Sequence, residues 1–423
     1  MSLLKTSHSP FQVVDNIEKE LREKGSIELK ENTKWDLEKN KSCYVKRNDS
    51  SIIAFRIPEI LSHHAFHISA AHTDSPSFKI KPNPIVVRNN LMMLQTEPYG
   101  GGIYHTWMDR PLSFAGRLLV KDEKEIRTVL LDIDEDLLDI PSLCIHFDRN
   151  VNSGKDFNPA IDMIPVFGTT EKDFDFSKYL KEKAGLKDNE EILSYDLFLY
   201  VREEPRLIGS RHEFLLSPRE DDLSSTYSSL SGFLEAESSD SISVYCAFDN
   251  EEVGSLTKQG AFSTFLSDVL HRIAKACGFD YEESVASSFL LSIDNAHANH
   301  PNHPEVSGAG VDCEMNRGIV LKSNANQSYT TDAFSSAIVK EVAEEAKVPL
   351  QYFTNRADLK GGSTLGNLSN NQVSLNAADI GIAQLAMHSC NELLGAYDIE
   401  NMAELVKSYF SSDFQIQGNS IKL

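Results

Sequence analysis

The chain has 423 residues, 41% of them hydrophobic, and its 63 acidic against 41 basic residues leave a formal net charge of -22. That length exceeds what one hydrophobic core ordinarily serves, so two domains are expected. The negative balance speaks against nucleic acid and anionic membrane surfaces as partners, and any preference for acidic peptides would be a local pocket effect working against the long-range field.

Ser9-Pro10 is a helix-start signal, and Phe11, Val14, Ile17 and Leu21 trace an apolar stripe behind it, as expected for an amphipathic helix packed on a core. His63, His64 and His67 lie close in sequence and read as surface or core histidines. The run His67 to Ala71 leads into His72-Thr73-Asp74. As a strand it puts His72 and Asp74 on one face, a spacing that suits a metal-binding imidazole oriented by a carboxylate. After Lys81-Pro82-Asn83-Pro84 come short β-like runs at Ile85 to Val87, Arg117 to Val120 and Arg127 to Leu131. Residues 84–206 therefore read as a β-rich insertion in an α/β domain made of residues 1–83 and 207–423. Within it, Gly100-Gly101-Gly102 lacks the Gly-Lys-Ser/Thr of a phosphate loop and is expected to be a backbone turn. His105, Trp107 and Asp109 are assigned to packing, and Lys181 to Glu191 to a solvated loop or helix.

Further along, Asp221 and Asp222 precede a helical stripe of Leu223, Tyr227, Leu230 and Leu234. Ile242, Val244, Cys246 and Phe248 are apolar at period two, so Ser241 to Phe248 is expected to be a strand with one buried face, closed by Asp249-Asn250-Glu251-Glu252. Adjacent side chains diverge in extended backbone, so one of the two glutamates can hold a metal while the other polarises a water. Phe262, Phe265, Leu266, Val269, Leu270 and Ile273 form another helical stripe, and the apolar run Ser287 to Ile293 stops at Asp294. Gly361-Gly362-Ser363-Thr364, with Lys360 beside it, also lacks the phosphate-loop pattern, and His388 is expected to open a helix. Two histidines and several carboxylates, one left over as a base, are the inventory of a two-metal hydrolytic site with ions about 3.5 to 4 Å apart. Spacing does not separate Asp221 from Asp222 as the carboxylate shared between them.

Ordered blocks over nearly the whole chain resemble the M18 aminopeptidases, the aspartyl aminopeptidase group of the co-catalytic zinc peptidases. The blocks are His72 to Pro76, Tyr99-Gly100-Gly101-Gly102 with Trp107 and Asp109-Arg110, Gly116-Arg117, and Ile145-His146 with Arg149-Asn150. They continue with Ser217-Pro218-Arg219, Asp249 to Ser255, Ala296-His297 with His300-Pro301-Asn302, Gly362-Ser363-Thr364, and Gln384 to Ser389. The resemblance implies a three-layer α/β/α zinc-peptidase domain carrying a β-rich dimerisation domain, with dimers assembling into a dodecamer. It implies two divalent ions per subunit, zinc with cobalt or manganese as alternatives. His72, Asp221 and Asp294 would hold one and Asp221, Glu252 and His388 the other. Glu251 would be the general base, Asp74 the orienter of His72, and His146 would reach into a neighbouring subunit's site.

By the same resemblance, Lys322, Tyr329 and His297 would contact substrate, with Lys322 pairing an acidic terminal residue. The activity implied is release of N-terminal residues from peptides, with acidic preference or with neutral or broad specificity. A metal-retaining, weakly active peptide-binding scaffold is the alternative of another class, and the intact Glu251 counts against it. Cys43, Cys144, Cys246, Cys277, Cys313 and Cys390 form no Cys-x-x-Cys pair. With no apolar signal region or stretch of roughly 20 apolar residues, a reduced, cytoplasmic protein is expected.

Overall fold

The computed structural model describes residues 1–423 except Lys172, Ser238, Ala309, Lys360 and Ser363. Apolar runs separated by polar turns pair into a nine-stranded mixed sheet. Across the sheet the strands are Ile27–Leu29, Lys41–Arg47, Ser51–Ile57, Ile242–Phe248, Phe66–His72, Phe289–Ile293, Asn376–Gly381, Ile319–Lys322 and Leu350–Phe353. The four from Ile242–Phe248 to Asn376–Gly381 are mutually parallel. Their carboxyl ends therefore open on one edge, where α/β sheets gather functional groups.

Helices cover both faces. Pro10–Glu23, Glu220–Glu235, Ala333–Ala346 and Ala396–Ser411 share one core with Tyr245, Ala247, Leu291 and Ile293. Phe265–Cys277 packs on the other with Val244, Cys246, Ile68 and Leu290. The strand Ile242–Phe248, expected to bury one face, thus buries both: a central parallel strand under two helical layers has no solvent side. Ser9 caps the first long helix by accepting the Phe11 amide, with Pro10 in the first turn. The helix expected from Phe262 begins at Phe265.

A second, six-stranded sheet joins Ile126–Asp132, Leu112–Lys121, Glu191–Val201, Ser77–Arg88, Leu91–Tyr99 and Val166–Thr169, every neighbour antiparallel. Phe78, Leu94, Phe114, Leu118, Leu197 and Leu199 build its own core. Its strand Ser77–Arg88 runs through Pro82 and Pro84, which fall where the pairing register shifts between Ile80 and Ile85. A proline has no amide to give the ladder, and an irregularity is where a strand tolerates one. Lys181 to Glu191 runs from the end of the helix Phe176–Lys183 through a turn to the first residue of the strand Glu191–Val201. A third sheet orders Arg206–Ile208, Phe214–Ser217, Glu392–Gly395, Ala383–Leu385 and Ala296–His297. Among the described residues no helix is long and apolar enough to cross a membrane.

His64 is exposed and stacks on Phe279. His67 is a core residue whose ring stacks at 4.5 Å on Phe414 and 5.2 Å on Tyr409, with no partner for either nitrogen among the described residues. Burial holds its pKa down at about 4, against an ordinary 6.5. The unfolded chain therefore takes up this proton first, so stability is full above pH 6.5 and falls as pH drops towards 4, by about 3 kcal/mol in total. His67→Phe should flatten the acid limb of a plot of Tm against pH between those values. An acid limb of unchanged slope would show that other groups govern it.

Candidate metal centre

The parallel strands deliver their polar ends to one cup. His72 is the last residue of Phe66–His72, and Asp294 follows Phe289–Ile293 directly. Glu251 and Glu252 lie in a single 3₁₀ turn just beyond Ile242–Phe248. Asp221 and Asp222 stand at the start of Glu220–Glu235 with non-helical backbone, so their side chains leave the helix direction. His388 does not open a helix: it sits in a turn after Ala383–Leu385 with φ 66°, and the next helix starts at Ala396. The turn is tied elsewhere, since Ile103 donates to the His388 carbonyl and Cys390 donates to Thr106 Oγ1.

Three overlapping groups of ligand atoms result, each within 4.8 Å: His72 with Asp221, Asp222 and Asp294; His72 with Glu251 and Glu252; and Asp221 with Glu252 and His388. Asp221 Oδ1 lies 3.5 Å from His72 Nε2, while its Oδ2 lies 3.3 Å from His388 Nε2. Glu252 Oε1 is 3.4 Å from the same His388 atom. These separations match the roughly 3.3 to 3.5 Å edge of a tetrahedron of N and O donors around zinc. Each imidazole donates Nδ1 to a carbonyl, His72 to Asp74 at 3.0 Å and His388 to Gly101 at 3.1 Å. Carbonyls only accept, so Nδ1 carries a proton and Nε2 is the atom that each ring turns to the carboxylates.

Electrostatics point the same way. Asp221 Oδ1, Asp222 Oδ1 and Glu252 Oε1 are buried with no hydrogen-bond partner among the described residues. Burial, then the charge of Asp221, pushes Glu252 well above its ordinary range. Burial outweighs the attraction of His72 and, with Asp294, Asp74 and Asp221, holds Glu251 at about 8. Burial opposes a charged His388, yet its Asp221 contact and the neighbouring carboxylates raise it to about 10. Burial also works against the Asp221 anion, but His388 and His72 win and lower its pKa. A site that crowds anions and aims unpartnered oxygens inward is one that cations complete.

The carboxylate of Asp74 does more than face His72, from which its Oδ1 is 3.4 Å. It accepts the amides of Glu251 and Glu252, both at 3.1 Å, and the hydroxyl of Tyr99 at 2.7 Å. Asn250 in turn donates to Tyr99 at 2.8 Å. Gly100 has φ 72°, and a Cβ there would stand 3.1 Å from Glu252 Cβ, so both backbone and space call for glycine. The glycine run is thus a turn, as expected, but one that walls the cup. Tyr99, Asn250 and the Gly101 carbonyl were not among the site residues expected from sequence. The strand ending directly at three glycines was the available signal for the first and last.

Lys322, at a strand end, is buried and donates to the carbonyls of Asp294 (2.7 Å) and Asn295 (3.1 Å), with Asp294 Oδ1 at 3.8 Å. Its Nζ also lies 5.3 Å from the centre of the buried Tyr329 ring. His297 opens to solvent on one side although protein crowds most of its ring, 6.0 Å from Phe353; burial, then the Lys322 cation, lowers its pKa. His146 is apart from these groups of ligands, exposed on a turn between Ile145 and Phe147. Thr364 donates to Asp379, whereas Lys360 and Ser363 lie outside the described residues.

A profile described as Aminopeptidase I zinc metalloprotease (M18) matches residues 3–410. The chain belongs to the M18 family of metallo-aminopeptidases, which are peptide hydrolases. It is 43% identical to a probable M18 family aminopeptidase 2 of Clostridium acetobutylicum, over 93% of each chain. It is 32% identical to a probable aspartyl aminopeptidase of Ricinus communis, over 97% of this chain and 94% of that one. The solved S. cerevisiae mApe1 dodecamer superposes with a TM-score of 0.85 at 26% identity, over 97% of this chain and 94% of that one. The three-layer architecture with its added antiparallel sheet is therefore the M18 fold. The imidazole and carboxylate donors of the cup suit the zinc that the family description names.

Because the cup concentrates buried anions, stripping divalent metal should destabilise the folded chain. Chelator dialysis is expected to lower the Tm, and restoring zinc at about 1,000 times its Kd should return about 4 kcal/mol. Identical melting curves with and without metal would mean that no cation sits among these carboxylates.

Proposed function

We propose that this protein is a dinuclear metal aminopeptidase that removes the N-terminal residue of peptides. The observation that carries the reading is the pair of Asp221 oxygens, one turned to each imidazole. On this reading His72, Asp221 and Asp294 hold one ion, and Asp221, Glu252 and His388 the other. Asp222 yields the bridge to Asp221 because it belongs only to the His72 group, and its Oδ2 takes the His72 amide. Zinc fits the donors, and cobalt or manganese would use the same atoms. Two such ions supply a water of lowered pKa and polarise the scissile carbonyl.

Glu251 has a carboxylate beside His72 and Glu252 but stands outside the group with His388. It is assigned to take the proton of the attacking water and return it to the leaving amine. Asp74 fixes that carboxylate by gripping the turn at two amides. Peptides with Asp, Glu, Leu, Met or Lys at the N-terminus should lose that residue in a metal-dependent way, and Glu251→Gln should retain metal while kcat falls about 10²- to 10⁴-fold. A fall of less than tenfold at full metal content would take the base role from Glu251. No metal-dependent release from any of these peptides would favour a peptide-binding scaffold.

For specificity, Lys322 supports an acidic preference only through the donor capacity left after Asp294 and Asn295. Its burial against the Asp294 loop favours the broader specificity, so the Asp and Leu arms of that screen carry the decision. We assign residues 84–206, whose sheet begins at Ser77, to oligomerisation, with a dodecamer as the assembly. Leu143, Ile145, Phe147 and Ile161 expose 49 to 81% of their surface, an apolar group that a second subunit would cover. The six free thiols fit a reducing cytoplasm.

His146 stands within this apolar loop, where it would serve a neighbour's site by donating to the developing oxyanion. Such a donor contributes about 2.7 to 4 kcal/mol. Inactive His146→Ala subunits reassembled with inactive Glu251→Gln subunits should regain part of the activity, because some interfaces pair an intact Glu251 with an intact His146. Verified exchange without recovery would confine His146 to its own subunit.

A further inference from the structure

Asp221 and His388 come from distant parts of the chain, and neither has backbone held by regular helix or strand geometry. Asp221 has φ -82° and ψ 105° inside a helix start, and His388 has a left-handed φ of 66°. One side chain receives the amides of both. Glu392, the first residue of the strand Glu392–Gly395, accepts the Asp221 amide on Oε2 at 2.9 Å and the His388 amide on Oε1 at 2.6 Å. It is 1% exposed, and among the described residues it makes no ion pair.

A buried carboxylate without a cation is an expensive way to fill space, and an apolar side chain of similar size would pack at less cost. Its use here is geometric. Two amides on a single rigid acceptor set the distance between two backbones whose side chains meet 3.3 Å apart at Asp221 Oδ2 and His388 Nε2. We infer that Glu392 is a positioning residue that holds Asp221 and His388 in register for the ion they share with Glu252. This inference rests on the two-ion reading above.

Glu392→Gln keeps the shape but leaves one amide facing an NH2 group, and Glu392→Asp is too short to reach both amides. Partners that orient metal ligands typically change metal affinity or activity by 10- to 100-fold. Glu392→Gln holoenzyme, dialysed against graded chelator and assayed for metal per subunit, should lose one ion at a 10- to 100-fold lower chelator strength than the unsubstituted enzyme. Its kcat should fall and return on adding excess metal, with KM little changed and the metal-free Tm within a few degrees of the parent. Retention of both ions at the parent's chelator strength overturns the inference. So does equal loss of both ions together with a lowered metal-free Tm, which marks a structural role. If Glu392→Gln does not fold, Glu392→Asp is judged by the same readings. An unsubstituted enzyme that binds fewer than two ions overturns the two-ion reading itself, and this inference with it.

Discussion

Burial of like charge is the constraint on which the rest of the structure depends. Asp74, Asp221, Asp222, Glu252 and Asp294 converge with Glu251 around two imidazoles and one ammonium, largely out of solvent. Two like charges 4 Å apart repel by about 4 kcal/mol at an effective dielectric of 20. Without compensation such a cluster takes up protons, which is the direction in which Asp222, Glu251, Glu252 and Asp294 move. A divalent cation reverses that pressure, so the same crowding that costs stability in the metal-free chain becomes affinity for metal in the loaded one.

Holding such a cluster requires a stiff frame. Four parallel strands end side by side, fixed by the two hydrophobic cores on their faces. His72, Glu251, Glu252 and Asp294 leave from those ends or from the turns that follow, while Asp221 enters from a helix start and His388 from a turn of the third sheet. The turns are themselves anchored. Asp74 clamps the Glu251–Glu252 turn, Lys322 binds the carbonyls beside Asp294, and the Gly101 carbonyl orients His388. Rigid support of this kind matters because the donor positions, once set, need no reorganisation when cation or substrate arrives.

The antiparallel sheet is also part of the cup within a single subunit. The strand Leu91–Tyr99 ends at Tyr99, whose hydroxyl meets Asp74, and the glycines beyond it pass against Glu252 and His388. The segment proposed for assembly therefore packs against two of the residues proposed to hold metal.

Much was legible in the linear chain because local rules govern it. A period-two pattern located the strand Ile242–Phe248, a continuous apolar run the strand Phe289–Ile293 and a helical stripe the helix Pro10–Glu23, and the clustering of acids and histidines at strand ends pointed to a metal site. Spacing alone could not rank Asp221 against Asp222, because neighbours in sequence share every local property. In the folded chain one Asp221 oxygen turns to each histidine whereas Asp222 joins only the His72 group, and the proposed bridge rests on that difference. His388 was misread as a helix start for a related reason: its left-handed backbone is held by residues 103 to 106 and by Glu392, contacts that no local pattern records. Tyr99, Asn250 and Glu392 likewise acquire their roles from hydrogen bonds spanning long stretches of chain. Sequence by itself determined which segments form elements and what chemistry their ends carry; tertiary structure decided which of those ends face one another, because convergence is set by packing between layers and not by any single segment.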